Sequence, residues 1–261
     1  MFQKGITPDV VTFNTLIDGS CKANRLTLAR QLFIDMQAHG VTPDVVSYSS
    51  LLDGLCKCKR LDEAVALLED MEDKGIKPDT VTYSILMDSL CEAGQLEDAA
   101  KFFSDLVSKG LQPSSKTYNI FVKGYCKKGL MTEAARLLRI MEDNGCFPDG
   151  ITYNTIIRGY ILNNDAKALY YRDLMVGKEF EADADTFALF VDLLSSDNIS
   201  DSPKGLLQNK LTADARVSSL FHDFPIETYM MKLNEDQSLQ LLSVFWILAN
   251  LSDNLSSNFE Q

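Results

Sequence analysis

Apolar residues recur three and four positions apart along most of this chain, and the pattern restarts at a fixed interval. In Val10–Asp44 (VVTFNTLIDGSCKANRLTLARQLFIDMQAHGVTPD) they fall at Phe13, Leu16 and Ile17, and again at Leu26, Ala29, Leu32, Phe33 and Met36. That spacing predicts two amphipathic helices, A and B, parted by a polar break at Ala23–Arg25. Asp9 stands where it can cap helix A, and Pro8 keeps a preceding helix from running on. Helix B is expected from Leu26 to about Ala38, ended by Gly40 in a left-handed C-cap before the turn at Val41-Thr42-Pro43.

The same unit returns without a gap at Val45–Asp79, Thr80–Ser114 and Ser115–Asp149, and at Gly150–Asp183 with one residue deleted after Asn164. Met1–Asp9 match the end of a further unit, and Ala184–Leu194 the start of a sixth. The register is carried by Phe13/Tyr48/Tyr83/Tyr118/Tyr153/Phe187, Ala29/Ala64/Ala99/Ala134/Ala168 and Gly40/Gly75/Gly110/Gly145. In the later units Leu55, Leu90, Tyr125 and Tyr160 join the apolar face of helix A. A hairpin of two such helices cannot hide its apolar faces alone, so the fold class is all-α, a solenoid of stacked helix-turn-helix units. Because Met1 falls in what would be the last turn of a helix, the chain reads as a fragment of a longer one.

Ser195–Gln261 carry no repeat. Ser195–Gly205 read as a polar linker. The segment beyond contains one amphipathic helix around Asp236–Leu251, with Trp246 on its apolar side, expected to cover the last repeat; a disordered tail is the alternative.

Charge changes the picture less than its total suggests. The net charge is −12, but Ala184–Gln261 hold 4 of the 25 basic and 11 of the 37 acidic residues, leaving 21 and 26, or −5, over Met1–Asp183. Cys21, Cys56, Cys91 and Cys126 share one repeat position. Stacked helices lie roughly 8–10 Å apart, too far for disulfides between equivalent positions, so these are small buried residues of a reducing compartment. A lone CxC at Cys56 and Cys58, with only His39 and His222, makes no zinc site. No apolar run reaches the ~20 residues of a membrane span; Leu241–Leu251 is too short. No nucleophile–base set or phosphate-cradling glycine loop is present, so no enzyme, cofactor or small-molecule substrate is expected.

On these residues the chain resembles the pentatricopeptide repeat family, of the plain 35-residue (P-type) kind of plant organelles, whose pattern Met1–Leu194 follow. Strings such as VTFN, GLCK and GIKPD resemble its fertility-restorer-like subgroup. The resemblance implies a right-handed α-solenoid that binds single-stranded RNA at about one base per repeat. It further implies action in transcript processing, stability or translation in the mitochondrion, with the chloroplast as alternative, and with other RNA-processing proteins as further partners. The targeting sequence would lie outside this chain. A tail lacking HxE and CxxC elements implies no deaminase activity.

In that family the fifth and last residues of each unit select the base. Carried over, the pairs are Asn14 with Asp44, Ser49 with Asp79, Ser84 with Ser114, Asn119 with Asp149, and Asn154 with Asp183. The second residue wedges between bases: Val11, Val46, Val81 and Ile151, with Lys116 breaking the column. The family's pairing rule gives U-G-any-U-U, 5′ to 3′ from N to C terminus, with the last U weakest. Lys22, Lys57 and Lys127 would face phosphates, whereas Glu92 and Leu162 in the same place would not.

Two other readings stay open. The aspartates and Ser114 are good N-caps, so capping alone explains them equally well. Asn14, Asn119 and Asn154 are harder to assign to stability, because asparagine is a mediocre helix former there. The groove of a protein-binding scaffold like the tetratricopeptide repeats would also suit the acidic balance, and an inactive truncated copy is a third possibility.

Overall fold

The computed structural model describes residues 8–195. Among these are eleven α-helices and no strand: α1 (Val10–Lys22), α2 (Leu26–Ala38), α3 (Val45–Lys57), α4 (Leu61–Asp73), α5 (Thr80–Glu92), α6 (Leu96–Ser108), α7 (Ser115–Lys127), α8 (Met131–Asp143), α9 (Gly150–Leu162), α10 (Lys167–Gly177) and α11 (Ala184–Ser195). The helix expected around Asp236–Leu251, Trp246, His222 and the segment Met1–Thr7 lie outside the described residues. Ser195, expected to open a linker, is the last residue of α11.

Local chemistry sets each boundary. Asp9, Asp44, Asp79, Ser114 and Asp149 each accept from the backbone N–H three residues on, and four of the five complete a capping box with Ser47, Thr82, Thr117 or Thr152. Each such cap is worth about 0.5–2 kcal/mol. Between A and B the chain turns through one left-handed residue: Asn24 (φ 58), Lys59 (φ 59), Gly94 (φ 78), Gly129 (φ 73) or Asn164 (φ 54). Helix B closes at Gly40, where the Val41 N–H returns to Met36 O at 3.0 Å.

The chain divides into two compact units. Of the described residues, the first comprises 8–128 and 140–146, the second 129–139 and 147–195. Within the first, α1 packs on α3, α3 on α5 and α5 on α7, while each A helix also packs on its own B helix where both belong to the unit. Within the second, α9 packs on α10 and α11.

The repeat register is the core register. Ala29, Ala64, Ala99, Ala134 and Ala168 are all fully buried, as are the ring positions Phe13, Tyr48, Tyr83, Tyr118, Tyr153 and Phe187 to within a few per cent. Ala168 recovers the register because the deletion is absorbed at the start of α10, where Asp165 Oδ1 accepts from Lys167 N at 2.9 Å and the helix is two residues shorter than its counterparts. One residue departs from its expected side. Leu16 is 43% exposed, whereas its equivalents Leu51, Leu86, Phe121 and Ile156 are buried. Phe121 shows what such a residue requires: it packs edge-on against Phe103 of the preceding hairpin, centroids 5.6 Å apart. No hairpin precedes α1 among the described residues.

Glycine supports the close approach of A helices. A Cβ on Gly54 would lie 2.3 Å from Cys21 Sγ and 2.9 Å from its Cβ; one on Gly124 would meet Leu96 Cδ2 at 2.9 Å and Cys91 Cβ at 3.1 Å. The buried cysteine of one unit thus fills the space that glycine leaves in the next.

Candidate nucleic-acid interface

Three columns of side chains run along the A helices of the first unit. The outermost is aliphatic: Val11, Val46 and Val81 are 65%, 52% and 54% exposed, one apolar side chain per repeat turned to solvent on helices whose ring positions Phe13, Tyr48 and Tyr83 are buried. Ile151 holds the equivalent position on α9 in the second unit and is also exposed. In α7 that position is the exposed Lys116.

The second column joins successive units by hydrogen bonds. Asn14 Nδ2 donates to Asp44 Oδ1 at 3.0 Å, and Ser47 Oγ lies 2.5 Å from Asn14 Oδ1 while bonding Asp44 Oδ1 at 2.9 Å. One step on, Ser49 Oγ lies 2.9 Å from Thr82 Oγ1, which donates to Asp79 Oδ1 at 2.9 Å. The fifth residue of one unit and the cap of the next therefore belong to one network, linked through the hydroxyl at the third position of the following helix. Burial alone would raise the Asp44 carboxyl's pKa, but the hydrogen bonds from Ser47 and Asn14 outweigh it and hold the group below its usual range. Ser84 is nearly buried, and Ser114 caps α7 through Thr117 N at 3.3 Å.

In the second unit Asn154 is bound more completely. Both its amide N–H groups donate to backbone, to Gly150 O at 2.8 Å and Glu181 O at 2.9 Å, and its Oδ1 accepts from Asp183 N at 2.9 Å. Asp183 caps Thr186 N at 2.9 Å and receives Arg158 Nη1 at 2.7 and 2.6 Å. Asn119, on α7 in the first unit, is partly buried, and Asp149 caps α9 in the second.

The third column is charged. Lys22 and Lys57 each pair with an aspartate one turn earlier, Asp18 at 2.7 Å and Asp53 at 2.5 Å. Lys127 instead reaches across to Glu92 at 2.6 Å. The ion-pair partners Asp18, Asp53, Asp88, Lys123 and Arg158 share the ninth repeat position, which the sequence reading passed over. Its change from acid to base along the chain was the available signal. Among the described residues no group of histidine, cysteine, aspartate or glutamate is placed to hold a metal, and no helix is long and apolar enough to cross a membrane.

The model of the PPR repeat family matches residues 8–57, 43–92, 86–127 and 117–161, more than half of the chain. This chain belongs to the PPR repeat family. The pentatricopeptide repeat protein PPR10, crystallised in complex with an 18-nt psaJ RNA element, is similar in structure, with TM-score 0.65 and 28% identity over 73% of this chain. A further structure of PPR10 from maize matches with TM-score 0.64 and 23% identity over 98% of this chain and 40% of its own. The PPR domain of Arabidopsis thaliana protein-only RNase P 1, crystallised with tRNA, matches at TM-score 0.54 and 16% identity over 70% of this chain and 97% of its own, which speaks to the fold alone. This chain spans 29% of the length of the PPR10 chain in the psaJ complex. No curated protein sequence matches it. The fold is accordingly that of the PPR solenoid, an all-α stack of helical hairpins.

Proposed function

We propose that this PPR chain binds single-stranded RNA along its A-helix face, one base per repeat, and performs no chemistry on it. The observation that carries the reading is the column of solvent-facing Val11, Val46 and Val81, one per repeat, each three residues before a polar side chain, Asn14, Ser49 or Ser84. An aliphatic surface suits the face of an unstacked base, and the neighbouring amide or hydroxyl suits its Watson–Crick edge. PPR10, which belongs to the same family, was crystallised with RNA.

Within this reading Asn14 with Asp44 favours U, Ser49 with Asp79 favours G, Ser84 with Ser114 is permissive, and Asn119 with Asp149 and Asn154 with Asp183 favour U. The networks at Asn14 and Ser49 hold the selecting groups in fixed rotamers and leave Asn14 one amide N–H for a uracil carbonyl. Asn154 has both N–H groups committed to backbone, so its repeat contributes least. The P-type and fertility-restorer-like assignment, a mitochondrial site of action and a part in transcript processing, stability or translation belong to the same proposal and rest on sequence resemblance.

Fluorescence anisotropy with labelled RNA containing UGAUU, against the same RNA carrying AAAAA, tests it at two salt concentrations. Tighter binding to UGAUU that weakens with salt supports base reading. The pairing of every proposed phosphate lysine with a carboxylate favours a peptide-binding groove as the second reading. No RNA binding by a folded, monomeric chain would favour that second reading.

A further inference from the structure

Positions 116, 120, 123 and 127 fall three to four apart and share one face of α7, so Lys116, Lys123 and Lys127 form a single basic stripe. The equivalent residues of α5 are Val81, Ile85, Asp88 and Glu92. The third repeat thus turns two carboxylates toward the place where the fourth turns three ammonium groups.

These groups meet directly. Lys123 Nζ lies 2.6 Å from Glu92 Oε1 and 3.8 Å from Asp88 Oδ1. Lys127 Nζ lies 2.6 Å from Glu92 Oε2 and 3.0 Å from the Glu92 backbone oxygen. Each carboxylate oxygen of Glu92 therefore has its own lysine, and the two ammonium groups hold its carboxyl below the ordinary glutamate range. The cluster borders a recess of about 690 Å³ that is also lined by Val81, Ser84 and Lys116, the wedge position, the base-edge position and the substituted wedge. About half of each lysine's side-chain surface remains open to solvent, so an incoming anion can reach both. No ion pair engages Lys116 among the described residues.

A carboxylate bridging two ammonium groups has the charge and the two-oxygen reach of a phosphodiester. We propose that Glu92 stands in for an RNA phosphate: it occupies the anion site of Lys123 and Lys127 in the RNA-free chain, and the α7 stripe is the backbone anchor of the groove once Glu92 is displaced. Exchange of one anion for another between the same lysines gains little, and the displaced carboxylate remains close enough to repel the phosphate. Glu92 thereby sets the affinity and salt dependence of the whole groove. Lys22 and Lys57, paired within their own helices, do not cross between repeats in this way. The inference rests on the RNA-binding reading.

The test compares wild type, Glu92→Gln, Lys123→Ala/Lys127→Ala and the triple variant by anisotropy with UGAUU RNA across a salt series, with thermal melting of each. Glutamine keeps the length of the side chain and its helix propensity. The expected result is about ten-fold tighter binding by Glu92→Gln at low salt, and a slope of log K against log salt steeper by roughly 0.7–1.4, one to two phosphates on a single strand. The triple variant should lose the gain. Unchanged or weaker RNA binding by Glu92→Gln with an unaltered slope, beside a wild type that prefers UGAUU, overturns the inference alone and leaves Glu92 as a fastener between α5 and α7. Absence of binding in wild type and Glu92→Gln alike overturns the RNA reading and the inference together.

Discussion

Asn14 Nδ2 donates to Asp44 Oδ1 at 3.0 Å across thirty positions of sequence, and the Ser47 hydroxyl bridges the same two side chains. The first residue proposed to touch a base edge is thus bonded to the cap of the next repeat. The observed cap and the proposed base selection share one carboxylate, and substitution can separate them.

Asp44→Asn preserves an N-cap of similar strength, so its urea midpoint should translate to within about 0.5 kcal/mol of wild type. Its preference for U at the first base should nevertheless fall, because the amide changes which atoms accept. Asp44→Ala should lose about 1 kcal/mol as well. A panel of four RNAs differing at the first base, beside the unfolding curves, measures both. Equal loss of preference and stability in the two variants would leave capping as the only role.

Two glycines at the same repeat position should respond with opposite signs. Gly19→Ala meets nothing within 4 Å and gains helix propensity, a stabilisation of about 0.5–1 kcal/mol. Gly54→Ala drives its Cβ into Cys21 and should cost about 1–3 kcal/mol net of propensity. Denaturant melts of the two single variants check the contrast.

The six thiols should fall into two classes. Burial first, then the nearby Asp53 and Asp18 carboxylates, push the Cys21 thiol up to about 11. Burial also takes Cys56 to about 11 and Cys91 to about 12. Cys126 is likewise buried, whereas Cys58 and Cys146 are partly exposed. Titration with a disulfide reagent at pH 8 should show two thiols reacting in the folded chain and four more only in denaturant.

Acid should destabilise the chain below the ordinary carboxylate range. Asp44, Glu92 and Asp183 all have folded-state pKa values below their usual ones; for Asp183 the effect of burial is outweighed by Arg158 and Thr186. A depressed pKa contributes stability that is present above the unfolded value and lost as pH falls through the folded one. The melting temperature should therefore vary little from these groups between pH 7 and 5 and drop below about pH 4. Asp183→Asn should flatten part of that drop, read from melts at each pH.

Helix spans, turns and core positions were legible in the chain because they depend on near-neighbour chemistry repeated many times. Asp9 with Thr12, Gly40 at a left-handed end and Ala29 at a helix crossing need only a few adjacent residues to declare themselves. The candidate columns were legible for the same reason, since a fixed period places Val11, Val46 and Val81 in register.

What the sequence determined, then, was everything that recurs: the hairpin, the period, and which positions line a common face. Only the tertiary structure decided the contacts that join one repeat to the next, because they link residues thirty or more positions apart and depend on the rotamers packing allows. No local pattern distinguishes Asn14, left with a spare N–H, from Asn154, whose amide is closed by Glu181 and Asp183. Nor could spacing alone show that Lys127, in line with Lys22 and Lys57, would turn from its own helix to Glu92, a partner it meets only because α5 and α7 stack side by side.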